Sequence, residues 1–418
     1  MGRADQELTV SLPYPPMLRT GRFLDLWHLI WGCLLGPVWV FLLHPLWRQQ
    51  AARQQKRPWV IGGHRGRVYA DNSAAVEQVA RSQGQHVLWI ANRCSAPIIG
   101  ATGVHVLVRH SWAARRAISS AEVLVYSHGE DDLDAMMAWL RGRSALRCYL
   151  NHCLNLMKAG GVYEPGWGQQ NCLVRGLRRW LITDCDRFYC ASEVEMRNFE
   201  RSYPMHQGKF RYGGGAHLDD IMAQRAPAGR RIYWFPTFRE SPSARKRLLS
   251  VIREVVSSPR LQAWLLENDY EFFIGAHVNT TEAPLTLEAP FVRADPARLI
   301  RDLGSTEILI SDYSSIVFDF MMYDRVPILF AFDLLDYQKS RYFYQDYETI
   351  DYALHARTVP ELVEAIIAHT TQSSHLVTRL AHAKAQLLPP GTHFALRTYQ
   401  AILADLSETS GAMGRPLK

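Results

Sequence analysis

The sequence predicts an α/β protein of two Rossmann-like, doubly wound domains facing a cleft, preceded by an apolar membrane-associated helix. Three observations carry this reading. From Trp59 onward, short apolar runs alternate with helix-like patterns. The alternation occurs twice, with Ala226-Pro-Ala-Gly229 as a linker between the halves. A chain of 418 residues also exceeds one ordinary core. The expected organisation is an N-terminal segment over 1–57, a first domain over 58–225, a second over 226–393, and a closing helix and tail over 394–418.

The N-terminal segment comes first. Leu26–Leu43 (LWHLIWGCLLGPVWVFLL) has no Asp, Glu, Lys or Arg in 18 residues, the minimum for a membrane span. Gly32, Gly36, Pro37 and His28 weaken a plain spanning helix, whereas Trp27, Trp31, Trp39 and Trp47 suit an interfacial belt. Arg48, Arg53, Lys56 and Arg57 follow, a cluster that an anionic membrane surface attracts. No small-residue cleavage site follows, which argues against a removable signal peptide. The segment is expected to attach the protein to the membrane, as one anchor or as an in-plane or re-entrant helix. A core helix is the alternative.

Candidate strands in the first half are His86–Ala91, Val104–Arg109, Glu122–Tyr126 and Arg187–Ala191. In the second half they are Arg231–Phe235, Glu271–Ala276, Glu307–Ile310 and Val326–Phe330. Helix-like segments between them are Asp131–Arg141, Val194–Arg201, Ala244–Val256 and Pro296–Asp302. The last helical stretch, Phe394–Ser407, is expected to pack back across the cleft.

Composition narrows the function. With 48% apolar and 21% charged residues, disordered and collagen-like classes are excluded. Seven scattered cysteines without a C-x-x-C pair suggest reduced thiols rather than a disulfide framework or a zinc or redox site. A net charge of +7 points to anionic partners: a membrane surface, a nucleotide or a polyphosphate. The basic run Arg175–Arg179 comes with no recognition motif, so no nucleic-acid partner is expected.

The sharpest motif is Glu307–Phe320 (EILISDYSSIVFDF). A buried strand ends at Ser311, a turn carries Asp312 and Tyr313, and Ser314 and Ser315 open a helix. Such a turn can cradle an anion, or it can simply cap the helix. The missing G-x-x-x-x-G-K-[ST] pattern excludes a P-loop ATPase. Tyr233-Trp-Phe-Pro-Thr-Phe-Arg239 is a second strand end, delivering Thr237 and Arg239 to the same rim. Phe272-Phe-Ile-Gly-Ala-His277 is a third, and His152, after Arg147-Cys-Tyr-Leu-Asn151, is the matching histidine of the first half.

Asp312-Tyr-Ser-Ser-Ile-Val-Phe-Asp319, followed by Pro327-Ile-Leu-Phe330 and Phe332-Asp-Leu-Leu-Asp-Tyr337, resembles the signature of the CDP-glycerol glycerophosphotransferases. These are the teichoic acid primases and polymerases, with related capsule polymerases. Pro236-Thr-Phe-Arg239 is similar to the family's P-T-x-R, and Gly66-Arg-Val-Tyr-Ala-Asp-Asn72 to its G-x-x-Y-x-D-N. The resemblance covers about residues 58–390. It implies a GT-B-like fold, CDP-activated alcohol donors and polymer synthesis on the cytoplasmic face of the cell membrane. It departs in three places. The family's W-H-G-T-P-L-K is here Asn151-His-Cys-Leu-Asn-Leu-Met-Lys158, the strand-end H-P is His277-Val278, and G-Y-P-R-x-D becomes Gly213-Gly-Gly-Ala-His-Leu-Asp219.

The implied reaction moves a phosphoglycerol or related phosphopolyol unit from CDP-glycerol, or another CDP-polyol, to a hydroxyl of a membrane-linked acceptor, releasing CMP. An alcohol nucleophile is helped by a base of near-neutral pKa, a role that falls to His152. His277 is the second catalytic candidate. Thr237, Arg239, Asp312, Ser314, Ser315 and Asp319 form the expected donor site, with Asp312 orienting a hydroxyl or His277. No acidic cluster demands a metal, and no cofactor is expected. A nucleotide-sugar glycosyltransferase on the same fold and a silent membrane scaffold are the alternatives.

Overall fold

Trp59–Gly62 forms β1, a run buried throughout, as a strand covered on both faces requires. Its alternate side chains divide between two cores, Trp59 and Ile61 joining one and Val60 the other. The computed structural model describes residues 30, 34–54, 56–140, 145–163, 185–239, 241–275, 287–294, 296–369 and 374–412. Around β1 a sheet assembles from β2 (Val87–Ala91), β3 (Val106–Val108), β4 (Val123–Tyr126), β5 (Leu146–Tyr149), β7 (Arg187–Cys190) and β8 (Phe210–Tyr212). The short β6 (Lys158–Ala159) stands apart from it. The order across this sheet is β3-β2-β1-β4-β5-β7-β8.

The second sheet begins with β9 (Gly229–Phe235) and adds β10 (Glu271–Gly275), β11 (Phe291–Ala294), β12 (Thr306–Ser311), β13 (Ile328–Phe330) and β15 (Leu354–Ala356). Its order is β11-β10-β9-β12-β13-β15, with every pairing parallel. Both orders reverse beside their first strand, giving switch points at β1/β4 and β9/β12. Ligands of such sheets bind in the crevice outside the carboxyl ends there. The residues that follow β1, β4, β5, β9 and β12 are therefore the ones placed to act.

Two features tie the halves together. β14 (Tyr342–Phe343), from the second half, pairs antiparallel with β6 from the first. The closing helix, Phe394–Ala412, returns to the first domain and packs against the helix Asp71–Ser82. There Thr398 donates to the Gly213 carbonyl (2.5 Å), and Asp405 accepts from Arg187 Nε (2.6 Å), Arg211 Nε (3.0 Å) and the Tyr189 hydroxyl (2.7 Å).

Several expectations need correction. Asp131–Arg141 is not an α-helix but two 3-10 turns, Glu130–Asp132 and Met137–Leu140. The reason is that Asp132 and Asp134 turn inward and spend their carboxylates on backbone N–H groups, the local competition that disfavours Asp within helices. β1, β5, β8, β11 and β15 were not among the candidate strands. At the N-terminus, residues 34–38 are helical, followed by a π-helical stretch over Trp39–Leu43 and an α-helix over His44–Ala51. One face packs on the first domain: Trp39 and Val40 are buried, and the Trp39 indole donates to Ser119 Oγ (3.0 Å). The other face leaves Leu34 (64%), Phe41 (56%), Leu42 (62%) and Leu46 (55%) exposed. Phe41 stands edge-on to the half-exposed Trp139, and Trp47 to Trp112. Among the described residues no helix is long and apolar enough to cross a membrane.

Candidate active site

β1, β4 and β5 end at one edge, and a histidine follows each: His64, His128 and His152. In-register parallel pairing brings the three together. The His64 and His128 ring centres lie 3.9 Å apart, and His128 stacks on His152 at 4.4 Å and 18°. Asp71, which opens the helix Asp71–Ser82, hydrogen-bonds His64 Nε2. The turn between them requires Gly66. Its φ is +74°, and a Cβ there would lie 2.5 Å from the Asn92 nitrogen. His64 (φ 50°), Arg65 (53°) and Asp71 (60°) are also left-handed, at about 1–2 kcal/mol each for side-chain-bearing residues. The wholly buried Asp132 holds this arrangement, accepting the N–H groups of Arg65 (2.7 Å), Ser127 (3.1 Å) and His128 (2.8 Å).

The electrostatics differ along the row. Burial, helped by the neighbouring imidazoles His64 and His152, pulls His128 down to about 2, so it is neutral at physiological pH. Burial would raise the Asp71 carboxyl, but His64, with His128 and His152 beyond, holds it well below the ordinary range. His152 opens to the cleft, and the adjacent Cys153 pushes it up to about 9 against desolvation. Cys153 moves the other way: against burial, His152, then Ser315 and Lys158, lower its thiol. Each group thus stabilises the charged form of the other.

On the opposite side, the loops after β9 and β12 lock around one carboxylate. Asp312 Oδ1 accepts from Thr237 N (2.9 Å), Thr237 Oγ1 (2.6 Å) and Tyr313 N (2.6 Å), and Oδ2 from Arg239 (2.8 Å). Arg239 also forks onto Asp333 at 2.7 and 2.8 Å and donates to the Thr237 carbonyl (2.6 Å). Tyr313, Phe332 and Tyr337 surround the guanidinium at 5.2–5.3 Å. Every nitrogen of Arg239 is thus engaged within the protein, and the side chain is buried. Thr237, Arg239 and Asp312 meet as expected, but as a positioning network, with Asp312 orienting the Thr237 hydroxyl. The cation beyond it is Lys158, which feels Cys153 and Asp312, though burial wins and lowers its pKa.

Ser314 and Ser315 separate in role. Ser314 Oγ lies 3.4 Å from the Ile316 N–H as a weak local cap, whereas Ser315, the N-cap of the six-residue helix Ile316–Met321, makes no side-chain cap bond. Its hydroxyl instead reaches Cys153 across the cleft. Asp319 turns away from this turn to His217, Nε2 to Oδ1 3.0 Å. His217 Nδ1 lies 2.8 Å from Asn72 Oδ1, and Asn72 Nδ2 donates to the carbonyls of Leu150 (3.2 Å) and Asn151 (3.0 Å). One imidazole thereby links the two domains directly behind the His152 loop. Burial works against its charge, but Asp319 outweighs it and raises His217 to about 9. His277 lies outside the described residues, as does the basic run Arg175–Arg179.

The sequence profile of CDP-Glycerol:Poly(glycerophosphate) glycerophosphotransferase matches residues 46–387. The chain belongs to that family. Among its relatives is the teichoic acid ribitol-phosphate polymerase TarL of Staphylococcus aureus, 42% identical over 60 residues, 14% of this chain and 11% of that protein. Another is the teichoic acid ribitol-phosphate primase of Bacillus spizizenii, 27% identical over 148 residues, 35% of this chain and 36% of the primase. The matches thus span about a tenth and about a third of these two proteins. The solved wall teichoic acid polymerase TagF superposes with a TM-score of 0.67 at 14% identity, covering 94% of this chain and 99% of that one. That likeness is one of fold, and it makes the architecture GT-B-like.

Within this glycerophosphotransferase family member, sequence reasoning missed His64, His128 and His217 as site residues. The strand-end rule that found His152 applies equally to Tyr126-Ser-His128, two residues past a recognised strand. His64 was hidden because β1 was not singled out as a strand. His217 sat in the altered G-Y-P-R-x-D turn, where only the fold shows that it reaches Asp319.

Proposed function

We propose that this chain transfers a phosphoglycerol or related phosphopolyol unit from CDP-glycerol, or a CDP-polyol such as CDP-ribitol, to a hydroxyl of a membrane-linked acceptor, releasing CMP. The observation that carries this is the meeting of the two halves: Ser315 of the second half reaches Cys153, the residue beside His152 in the first. The acceptor oxygen attacks the polyol-bearing phosphorus, the bond to CMP breaks, and neutral His152, the form that predominates only above about pH 9, takes the hydroxyl proton. Ser315 and Lys158 supply fixed donors for the charge that develops, and the network of Asp312, Arg239 and Thr237 holds their surroundings in place. The family's description supports glycerol as the polyol, whereas the names of the TarL and primase relatives support ribitol.

The exposed apolar face of residues 34–46, edged by Trp112 and Trp139, supports in-plane seating at the cytoplasmic membrane surface. Replacing Phe41 and Leu42 by Asp should then release the protein from anionic vesicles. For the activity, purified protein is offered CDP-glycerol, CDP-ribitol and UDP-sugars with a polyol-phosphate acceptor, and nucleotide release is measured. CMP from a CDP-polyol, with a bridging phosphate in the product, is the expected result. Turnover of UDP-sugars alone would replace this reading with a glycosyltransferase.

A further inference from the structure

We propose that His64, Asp71 and His128 form a binding site for a divalent transition-metal ion of the zinc class, at the carboxyl ends of β1 and β4. A ring nitrogen of His64, an Asp71 carboxylate oxygen and a ring nitrogen of His128 all lie within 4.8 Å of one another. An ion bound at about 2.0–2.2 Å from each would need those atoms roughly 3–3.5 Å apart. The ion takes the place of the His64–Asp71 hydrogen bond, and side-chain rotation of about 1 Å draws His128 in. Two imidazoles and one carboxylate select a zinc-class ion over magnesium or calcium, which prefer oxygen ligands. Three protein ligands also leave coordination positions open, the pattern of sites whose ion takes a further ligand from solution.

The surroundings are built to hold these ligands. Asp132 ties the loop carrying His64 to the loop carrying His128, by way of the N–H groups of Arg65, Ser127 and His128 itself. His128 Nδ1 lies 3.1 Å from the buried Ser127 hydroxyl, an outer partner of the kind that orients a metal-ligating imidazole. As the structure stands Nδ1 accepts; moving the ring proton onto Nδ1, toward Ser127 Oγ, frees Nε2 as the ligand atom. The His64 N–H also points at Nδ1, across 3.3 Å, and that long contact gives way in the bound state. None of these features depends on which nucleotide or acceptor the cleft takes. His152 stacks on His128 at 4.4 Å, so the ion would sit beside the proposed base.

The test reads the ion alone, so it stands or falls separately from CMP release. Full-length protein is stripped with a chelator and titrated with Zn²⁺ by calorimetry and with Co²⁺ by visible absorption. Saturable binding of one ion per chain is expected, with a Co²⁺ spectrum of nitrogen and oxygen ligation. His64→Ala and His128→Ala should each weaken it at least about a hundredfold, since loss of even an outer-shell partner typically costs 10–100-fold. Asp71→Asn, which keeps the side-chain shape, serves if either histidine variant fails to fold, and should weaken binding in the same direction. His86 precedes β2 at the opposite end of the strands and lies 6.4 Å from the His105 ring, so His86→Ala should bind the ion as the parent does. Absence of one-to-one binding, or binding that survives in the folded cluster variants, would overturn the assignment.

Discussion

Removing Arg239 separates its two possible roles. If it positions the donor-side loops, Arg239→Met strands Asp312 (0% exposed) and Asp333 (5% exposed) as uncompensated buried carboxylates. Deleting one partner of a buried ion pair costs about 3–5 kcal/mol. At roughly 2–4 °C per kcal/mol for a domain of 150–250 residues, the melting midpoint should fall by about 6–20 °C. Arg239→Lys should recover only part of this, because a single ammonium cannot fork onto Asp333 and reach Asp312 together. Pairing Arg239→Met with Asp333→Asn should cost less than the two single changes added, since one stranded charge is then removed. The assay is thermal unfolding of the full chain, read beside calorimetric titration with CDP-glycerol. An unmoved midpoint in Arg239→Met, with nucleotide affinity reduced tenfold or more, would refute the reasoning and return Arg239 to direct phosphate binding.

His217 makes stability depend on alkaline pH. Its folded pKa of about 9 exceeds the unfolded value of about 6.5, so its contribution is complete below pH 6.5 and is lost as pH rises through 9. That contribution is on the order of 3 kcal/mol, and His217→Asn should flatten the alkaline fall in melting midpoint; identical curves would disprove the link. Ser315→Ala should weaken CDP-glycerol binding roughly tenfold to a hundredfold, the worth of a hydrogen bond to a charged group. Because Ser315 makes no cap bond, its midpoint should stay put; a lowered midpoint with unchanged affinity would assign the turn to structure. His152→Ala should cut kcat at least about a hundredfold. Cys153→Gly, which installs the family's residue, should move the acid limb of the kcat/KM profile from near 9 toward about 6.5. A profile unmoved by the Cys153 change would place the base elsewhere.

What could be read from the sequence followed the strength of its periodic signal. The long runs at β9, β10 and β12 announced themselves because buried parallel strands read as continuous apolar stretches. β1 is as central as any of these, yet four residues carry too little pattern to stand out, and His64 was lost with it. Pro296–Asp302 was placed to the residue, whereas Asp131–Arg141 had the composition of a helix and lacked the geometry, because two inward carboxylates recruited the backbone. Motif reading placed Thr237, Arg239, Asp312 and Ser315 on one rim, and the structure brings the first three into contact. It could not show that Arg239 is consumed by Asp312 and Asp333, nor that Asp319 serves His217, because both depend on which loops the fold brings face to face.

The pairing of β6 with β14 changes what opening this cleft would mean. The segment after His152 is stitched to the opposite domain by Lys158–Ala159 against Tyr342–Phe343, by the Tyr344 N–H to the Met157 carbonyl (3.0 Å), and it leaves along Gly161 at φ +62°. A rigid swing of the first domain would have to break that seam or leave the segment behind. The loop bearing His152 is thus held from both sides, by Asn72, Glu195 and His128 of the first domain and by this stitch to the second. The spacing between the proposed base and the Ser315 turn is therefore braced from the second domain by this short stitch as well as from the first.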